Sequence, residues 1–135
     1  MEKVEQAVHL KLIEKTQNEL KYDAPTDIGE KAQIYYSFGK HHGGLQAITT
    51  IIDFKYNAEV DHQTRLKNLN QVYEQYKSQY GEGIYTKDQE FEGYNWKLKD
   101  KLVRVVLSEG TPKSVVVIFF SPDYVKAVHT DKQAD

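Results

Sequence analysis

The chain has 135 residues, of which 39% are hydrophobic and 28% charged, with 18 basic residues against 20 acidic ones. This composition is typical of one globular domain and excludes a disordered chain. The charges are well mixed around a net value of −2, and without a basic stripe we expect no nucleic-acid partner. The absence of cysteine excludes disulfides, thiol catalysis and thiolate metal sites.

No apolar run approaches the ~20 residues that a membrane-spanning helix needs, so we expect no transmembrane segment. The N-terminus also lacks the apolar stretch of a signal peptide. As it stands, the sequence indicates a cytoplasmic protein, or one of the cell envelope or periplasm from which a signal peptide has been removed. We expect a single α+β domain over residues 1–122, followed by a polar C-terminal tail over residues 123–135.

The Glu, Lys, Gln, Leu and Ala content of residues 2–20 predicts a first helix, although residues 8–12 also alternate in the manner of a strand. Two strands are predicted at residues 33–38 and 45–56, which are rich in β-branched and aromatic side chains. The glycine-rich residues 39–44 between them predict a hairpin turn.

The clearest predicted element is a second helix over residues 61–80. Its apolar side chains recur at spacings of three and four residues, which places them on one stripe. They are Leu66, Leu69, Tyr73, Tyr76 and Tyr80. Asp61 has the residue type of an N-cap, and Gly81 stands where a left-handed C-cap glycine belongs. Such a stripe is typical of a helix packed on a sheet.

Three further strands are predicted at residues 89–98, 102–107 and 115–120, and the last two are apolar on both sides. In the final strand one side carries Val115, Val117 and Phe119, and the other carries Val116, Ile118 and Phe120. A half-exposed strand would alternate apolar and polar residues. We therefore expect both faces of this hairpin to be covered, either by a tightly wrapped chain or by a partner.

Together these elements predict an α+β fold: an antiparallel sheet of about five strands with two helices packed on one face. The order helix, hairpin, helix, hairpin also suggests a duplicated α-ββ unit. An offset of 58 residues pairs Tyr36 with Tyr94 and Phe38 with Trp96. Chance similarity of two amphipathic units explains the same pairing, so both interpretations stay open.

Three features carry a resemblance to a known layout: the helix end at residues 76–81, the hairpin that holds Trp96, and the strand at residues 102–107. They resemble small bacterial envelope domains built from helix-plus-hairpin units, as in the β-lactamase-inhibitor-protein and outer-membrane-assembly-lipoprotein groups. Such domains bind other proteins rather than catalyse. The resemblance therefore implies a bacterial protein-binding module.

The candidate sites for chemistry are few. His41 and His42 stand between glycines and could bind Zn²⁺ or Ni²⁺. A defined zinc site needs three or four ligands, and only Asp61 and His62 are candidates to complete it. Since no HxH or HExxH spacing is present, we expect no metal and no other cofactor.

Acid–base chemistry needs a titratable group in a cleft. The acidic residues in polar, apparently solvated settings are Glu30, Glu59, Glu74, Glu90 and Glu92. Asp53 and Arg104 instead interrupt apolar runs, and an ion pair between them across neighbouring strands would explain both without any activity. We therefore expect no catalytic residue.

The functional hypothesis is a non-enzymatic protein-interaction or binding module that uses an aromatic sheet face. Its candidate binding residues are Tyr36, Phe38, Tyr94 and Trp96. A protein partner or a second copy of the chain would cover that face, because Trp and Tyr dominate interface energetics. The alternative is a small-ligand-binding protein or enzyme with a Tyr-lined cavity between the second helix and the sheet.

Overall fold

The computed structural model of the protein describes residues 1–39, 44–54, 61–99, 101–110 and 113–121. Within these ranges the chain forms two helices and one antiparallel sheet of eight strands. In chain order the elements are α1 Glu2–Ala7, β1 Leu12–Lys15, β2 Glu19–Ala24, β3 Lys31–Phe38, β4 Leu45–Asp53, α2 His62–Tyr80, β5 Ile84–Lys87, β6 Phe91–Lys97, β7 Leu102–Ser108 and β8 Ser114–Phe120.

Each half of the chain is a helix followed by a four-stranded meander. The strand order is β1-β2-β3-β4-β8-β7-β6-β5, so the two meanders join along β4 and β8. The first strand of each half, β1 or β5, forms an edge of the sheet. The two edges are therefore equivalent positions in the two halves.

The prediction of about five strands is wrong, although the α+β class is consistent with the structure. The five predicted strands correspond to β3, β4, β6, β7 and β8. The prediction omits β1 and β5 because four residues are too few to show a strand pattern. It omits β2 because this strand overlaps the end of the residues assigned to the first helix, at Glu19 and Leu20, and runs past them to Ala24.

The predicted first helix, residues 2–20, is wrong beyond Ala7. The chain is extended at Val8, with φ −88° and ψ 123°, and β1 and β2 follow. Leu20 and Tyr22 of β2 are both buried and pair with β3. Their burial outweighs the helix propensity of the surrounding residues, which is only a few tenths of a kcal/mol per position.

The repeating unit also differs from the predicted α-ββ duplication, because each unit contains four strands. The 58-residue offset places Tyr36, on the third strand of one meander, against Tyr94, on the second strand of the other. Residues matched by that offset therefore do not occupy equivalent positions. The sequence did not reveal the four-stranded unit because three of its strands, β1, β2 and β5, were not predicted.

Helix α2 begins and ends where its sequence predicts. The Asp61 side chain accepts a hydrogen bond from the Thr64 N–H at 2.7 Å, which satisfies a free donor of the first turn. Gly81 ends the helix with φ 84°, a conformation that favours glycine. The buried side chains of α2 are Leu69, Val72 and Tyr73.

Both helices lie on the same side of the sheet, which we call the helix face. Helix α2 packs over β6, β7 and β8, where Val103 and Val117 are fully buried. Helix α1 packs over β2 and β3, where Val4 contacts a cluster that includes Leu20 and Phe38. Among the described residues no helix lies on the opposite side, which we call the open face. Within the described residues, no helix is both long enough and apolar enough to cross a membrane.

Candidate functional site

The four aromatic residues predicted to bind a partner lie on the helix face and belong to two separate clusters. Tyr36 and Phe38 are on β3, whereas Tyr94 and Trp96 are on β6, with β4, β8 and β7 between them. Phe38 is 5% exposed and belongs to the cluster under α1, and Trp96 is 4% exposed and belongs to the core under α2. The structure therefore does not bring the four together on a surface. Residue alternation pairs side chains on a face, but the packing of the helices decides whether that face is exposed.

Aromatic rings fill the space between α2 and β6. Tyr73 stacks on Tyr94 with ring centroids 3.7 Å apart and on Trp96 with centroids 5.5 Å apart. The Trp96 Nε1–H donates to the Gly81 carbonyl at 2.9 Å, and the Tyr73 hydroxyl accepts from the Gly83 N–H at 3.1 Å. Because the rings are in contact and their polar atoms are partnered, this stack is core rather than a Tyr-lined cavity.

The predicted ion pair between Asp53 and Arg104 is wrong, since β8 separates their strands. Asp53 accepts a hydrogen bond from the Ser114 hydroxyl of β8. Arg104 donates through Nε to Asn95 at 2.7 Å, and its guanidinium lies 5.2 Å from the centre of the Phe91 ring. Both charged groups are thus accounted for by neighbours on the open face.

The candidate metal ligands His41 and His42 lie outside the described residues. Of the residues predicted to join them, Asp61 caps α2 and His62 contacts Glu92 instead. Within the described ranges no group of three or more His, Asp or Glu side chains is placed to hold a metal ion.

The large hydrophobic side chains that are exposed in the described part of the chain all lie on the two edge strands. They are Leu12 and Ile13 on β1, and Ile84 and Tyr85 on β5. The β5 edge is the more open, with Ile84 69% and Tyr85 48% exposed. The β1 edge is tied to α1 by an ion pair between Lys15 Nζ and Glu5 Oε2 at 3.0 Å.

A buried carboxylate lies beside the β5 edge. Glu92 of β6 is 8% exposed, and alternation puts it on the helix face with Tyr94. His62 Nε2, at the start of α2, lies 3.1 Å from Glu92 Oε1, and the Tyr85 hydroxyl donates to Glu92 Oε2. This hydrogen bond, with a smaller effect of burial, raises the pKa of Tyr85 to about 12.

A cleft of about 320 Å³ opens beside Glu92, between the first turn of α2 and the turn that joins β5 to β6. Arg65 lines it and donates from Nη2 to the Ser108 carbonyl at 3.1 Å, while its Nη1 lies 3.6 Å from Glu109 Oε1. The other charged or polar residues of the lining are His62, Lys87, Asp88, Gln89 and Glu90. We call this the Glu92 cleft.

The contacts of Glu92 at this cleft have a structural role. Each oxygen of the buried carboxylate has a partner, one from α2 and one from β5, which is what a buried charge requires. The same contacts tie both elements to β6. Charges of both signs also converge there, and such an arrangement can orient a small polar ligand.

The prediction that Glu92 is a solvated acid is wrong, because its side chain is buried, and no sequence pattern gives Arg65 or Tyr85 a role. A signal for Glu92 existed, because the period of two in β6 puts it on the face of Tyr94 and Trp96. No sequence signal places His62 or Arg65 beside it, since those contacts depend on how α2 docks on the sheet.

No protein-family model, curated protein or solved structure matches this chain. Its function is therefore inferred from its own geometry.

Proposed function

We propose that this protein is a non-enzymatic interaction module that binds an extended segment of a partner protein by adding a strand to β5. The observation that carries the proposal is the confinement of exposed large hydrophobic side chains, within the described residues, to the two edge strands. Elsewhere in the described part of the chain, such side chains are at least partly buried.

An edge strand offers a row of backbone N–H and C=O groups that a new strand can pair with. Proteins that avoid this pairing place charged side chains or proline on the edge. β5 instead presents Ile84 and Tyr85, with a single Lys87 at its end. Main-chain hydrogen bonds would supply affinity, and the two large side chains would supply specificity.

The β5 edge is a better candidate than β1 for two reasons. Its hydrophobic side chains are more exposed than those of β1. β1 is also tied to α1 by the ion pair between Lys15 and Glu5. β5 is also held against β6 by one side chain, because Tyr85 packs edge-on against Tyr94 with centroids 5.5 Å apart and donates to Glu92. A preorganised edge lowers the entropic cost of binding.

The test is selection of peptides from a random display library on the immobilised full chain. We expect selected peptides to alternate apolar and polar residues and to lose about tenfold or more in affinity when Ile84→Lys blocks the edge. Leu12→Lys on the equivalent strand β1 is the matched control and leaves binding unchanged. Equal binding to both variants, or failure to select any peptide, would overturn the proposal.

A second candidate function, binding of a small polar ligand, is favoured by the buried Glu92 at the Glu92 cleft. The experiment is an NMR screen of small zwitterionic and cationic compounds, observing the side-chain signals of His62 and Arg65. Compounds that shift these signals in the full chain and not in Glu92→Gln would support it. Compounds that shift them equally in both would count against it.

A further inference from the structure

The backbone of β5 presents its free hydrogen-bonding groups at two residues. The Asp88 N–H donates to the Phe91 carbonyl at 2.9 Å, so these residues form a hydrogen-bonded pair where β5 turns into β6. Hydrogen-bonded and non-hydrogen-bonded pairs alternate along two antiparallel strands. Counting back from this pair, Lys87 and Tyr85 occupy non-hydrogen-bonded positions, and Thr86 between them occupies a hydrogen-bonded one. The N–H and C=O groups of Lys87 and Tyr85 therefore point away from β6, toward the free edge.

The side chains of β5 lie alternately on the two faces of the sheet. Tyr85 packs against Tyr94, so Tyr85 and Lys87 are on the helix face. Ile84 and Thr86 alternate with them and are on the open face. All four are exposed. A strand added at this edge would meet all four, and residues directly opposite each other would share a face.

Lys87 is the one charged side chain of β5, and over the described residues its ammonium forms no ion pair. Glu92 lies opposite it on β6, but the two carboxylate oxygens of Glu92 are partnered by His62 and Tyr85. The carboxylate of Asp88, the next residue along the chain, accepts two N–H groups of its own turn. The Lys87 cation therefore suits a carboxylate on the strand that is added at the free edge, since opposite charges across two strands attract.

We propose that the segment bound by β5 runs antiparallel to it and carries an acidic side chain opposite Lys87. This inference rests on strand addition at β5 and specifies the chemistry of the partner. Antiparallel pairing is the more stable direction per residue. In that direction the acidic residue comes first, a β-branched residue follows opposite Thr86, and two apolar residues follow opposite Tyr85 and Ile84.

Hydrogen exchange tests the hydrogen-bond pattern of β5 in the full chain. We expect the amides of Ile84 and Thr86 to exchange more slowly than those of Tyr85 and Lys87, because only the first two point at β6. A bound strand should then slow exchange at Tyr85 and Lys87. Slower exchange at Tyr85 and Lys87 in the unbound chain would place their amides against β6 and overturn the proposed pairing.

The charge is tested with two synthetic peptides, one with the core Glu-Thr-Val-Val and one with Lys in place of Glu. NMR titration of the labelled full chain measures both affinities. We expect the Glu peptide to bind about three- to tenfold more tightly, and the preference to reverse in Lys87→Glu. Lys67→Glu, on the exposed side of α2, makes the same charge change away from the edge and should keep the original preference.

N-methylated Glu peptides separate this inference from strand addition itself. Methylation of the Val opposite Tyr85 removes an N–H that pairs with β5 and should abolish binding. Methylation of the Thr opposite Thr86 should leave binding unchanged, because that N–H points away from β5. If no peptide binds, or if the two methylated peptides bind equally, strand addition and this inference both fail. If the methylated Val alone blocks binding, strand addition stands. Equal affinity of the Glu and Lys peptides, tighter binding of the Lys peptide, or tighter binding of the reversed core Val-Val-Thr-Glu would then overturn the acidic antiparallel partner.

Discussion

Tyr73 of α2 and Tyr94 of β6 stack face to face, with ring centroids 3.7 Å apart and planes 13° from parallel. Tyr73 is buried, and its hydroxyl also accepts the Gly83 N–H that precedes β5. One side chain therefore joins the long helix to β6 and to the segment that leads into β5.

We expect Tyr73→Ala to lower the free energy of unfolding by about 3–5 kcal/mol, since it removes a buried ring and leaves a cavity. Tyr73→Phe keeps the stacked ring and loses only the hydrogen bond to Gly83, at a cost of about 0.5–1.5 kcal/mol. Urea denaturation of the two variants measures the difference. Equal losses would show that the ring contributes nothing beyond its hydroxyl.

Gly93 allows β6 and β7 to approach closely. A Cβ at this position would lie 2.1 Å from the Val105 carbonyl oxygen and 2.7 Å from the Val106 Cα, both rigid backbone atoms. We expect Gly93→Ala to cost about 1–3 kcal/mol or more in unfolding free energy, because the strand must shift.

Gly110→Ala is the matched control, since the nearest atom to its added Cβ is the Ser108 Oγ at 3.7 Å. Thermal denaturation compares the two variants. If both unfold at the temperature of the unaltered chain, the close approach of β6 to β7 is absent in solution.

Because of the Asp61 cap, we expect the free energy of unfolding to change with pH in the acidic range. The hydrogen bonds from Thr64 hold the pKa of Asp61 below its ordinary value of 3.8. A group whose pKa is lowered on folding stabilises the fold above its ordinary pKa, and that stabilisation is lost as the pH falls through the folded value. We expect the urea midpoint to fall more steeply below pH 3.8 in the unaltered chain than in Asp61→Asn, which keeps a capping side chain without the charge. Identical pH profiles would contradict this role.

Tyr85 is expected to ionise only in strong base. Its pKa of about 12 exceeds the ordinary 10.0 because Glu92 accepts a hydrogen bond from the Tyr85 hydroxyl. The hydrogen bond therefore stabilises the fold below pH 10, and this stabilisation is lost between pH 10 and about 12. Carbon-13 NMR of labelled tyrosine follows the titration, with Tyr85→Phe to assign the signal. In Glu92→Gln the midpoint should move back toward 10, and an unchanged midpoint would rule out Glu92 as the cause.

Helix α2 shows what the sequence determined by itself. Its stripe, its Asp61 cap and its Gly81 end are local signals, each set by residues within one or two turns. The strands β3, β4, β6, β7 and β8 are likewise marked by local composition and alternation. The α+β class and the two apolar faces of the β7–β8 hairpin follow from the same short-range patterns.

Only the tertiary structure decided the rest. β1, β2 and β5 are strands because they pair with neighbouring strands. β1 and β5 have only four residues each, which is too few to show a strand pattern, and β2 overlaps the end of the predicted first helix. The sequence could not decide which face the helices cover, so Trp96 and Phe38 were candidates for a surface that packing turns into core. Tyr85 and Glu92 meet within the β5–β6 hairpin, but the contact of His62 with Glu92 depends on how α2 docks on the sheet, which no spacing in the sequence encodes.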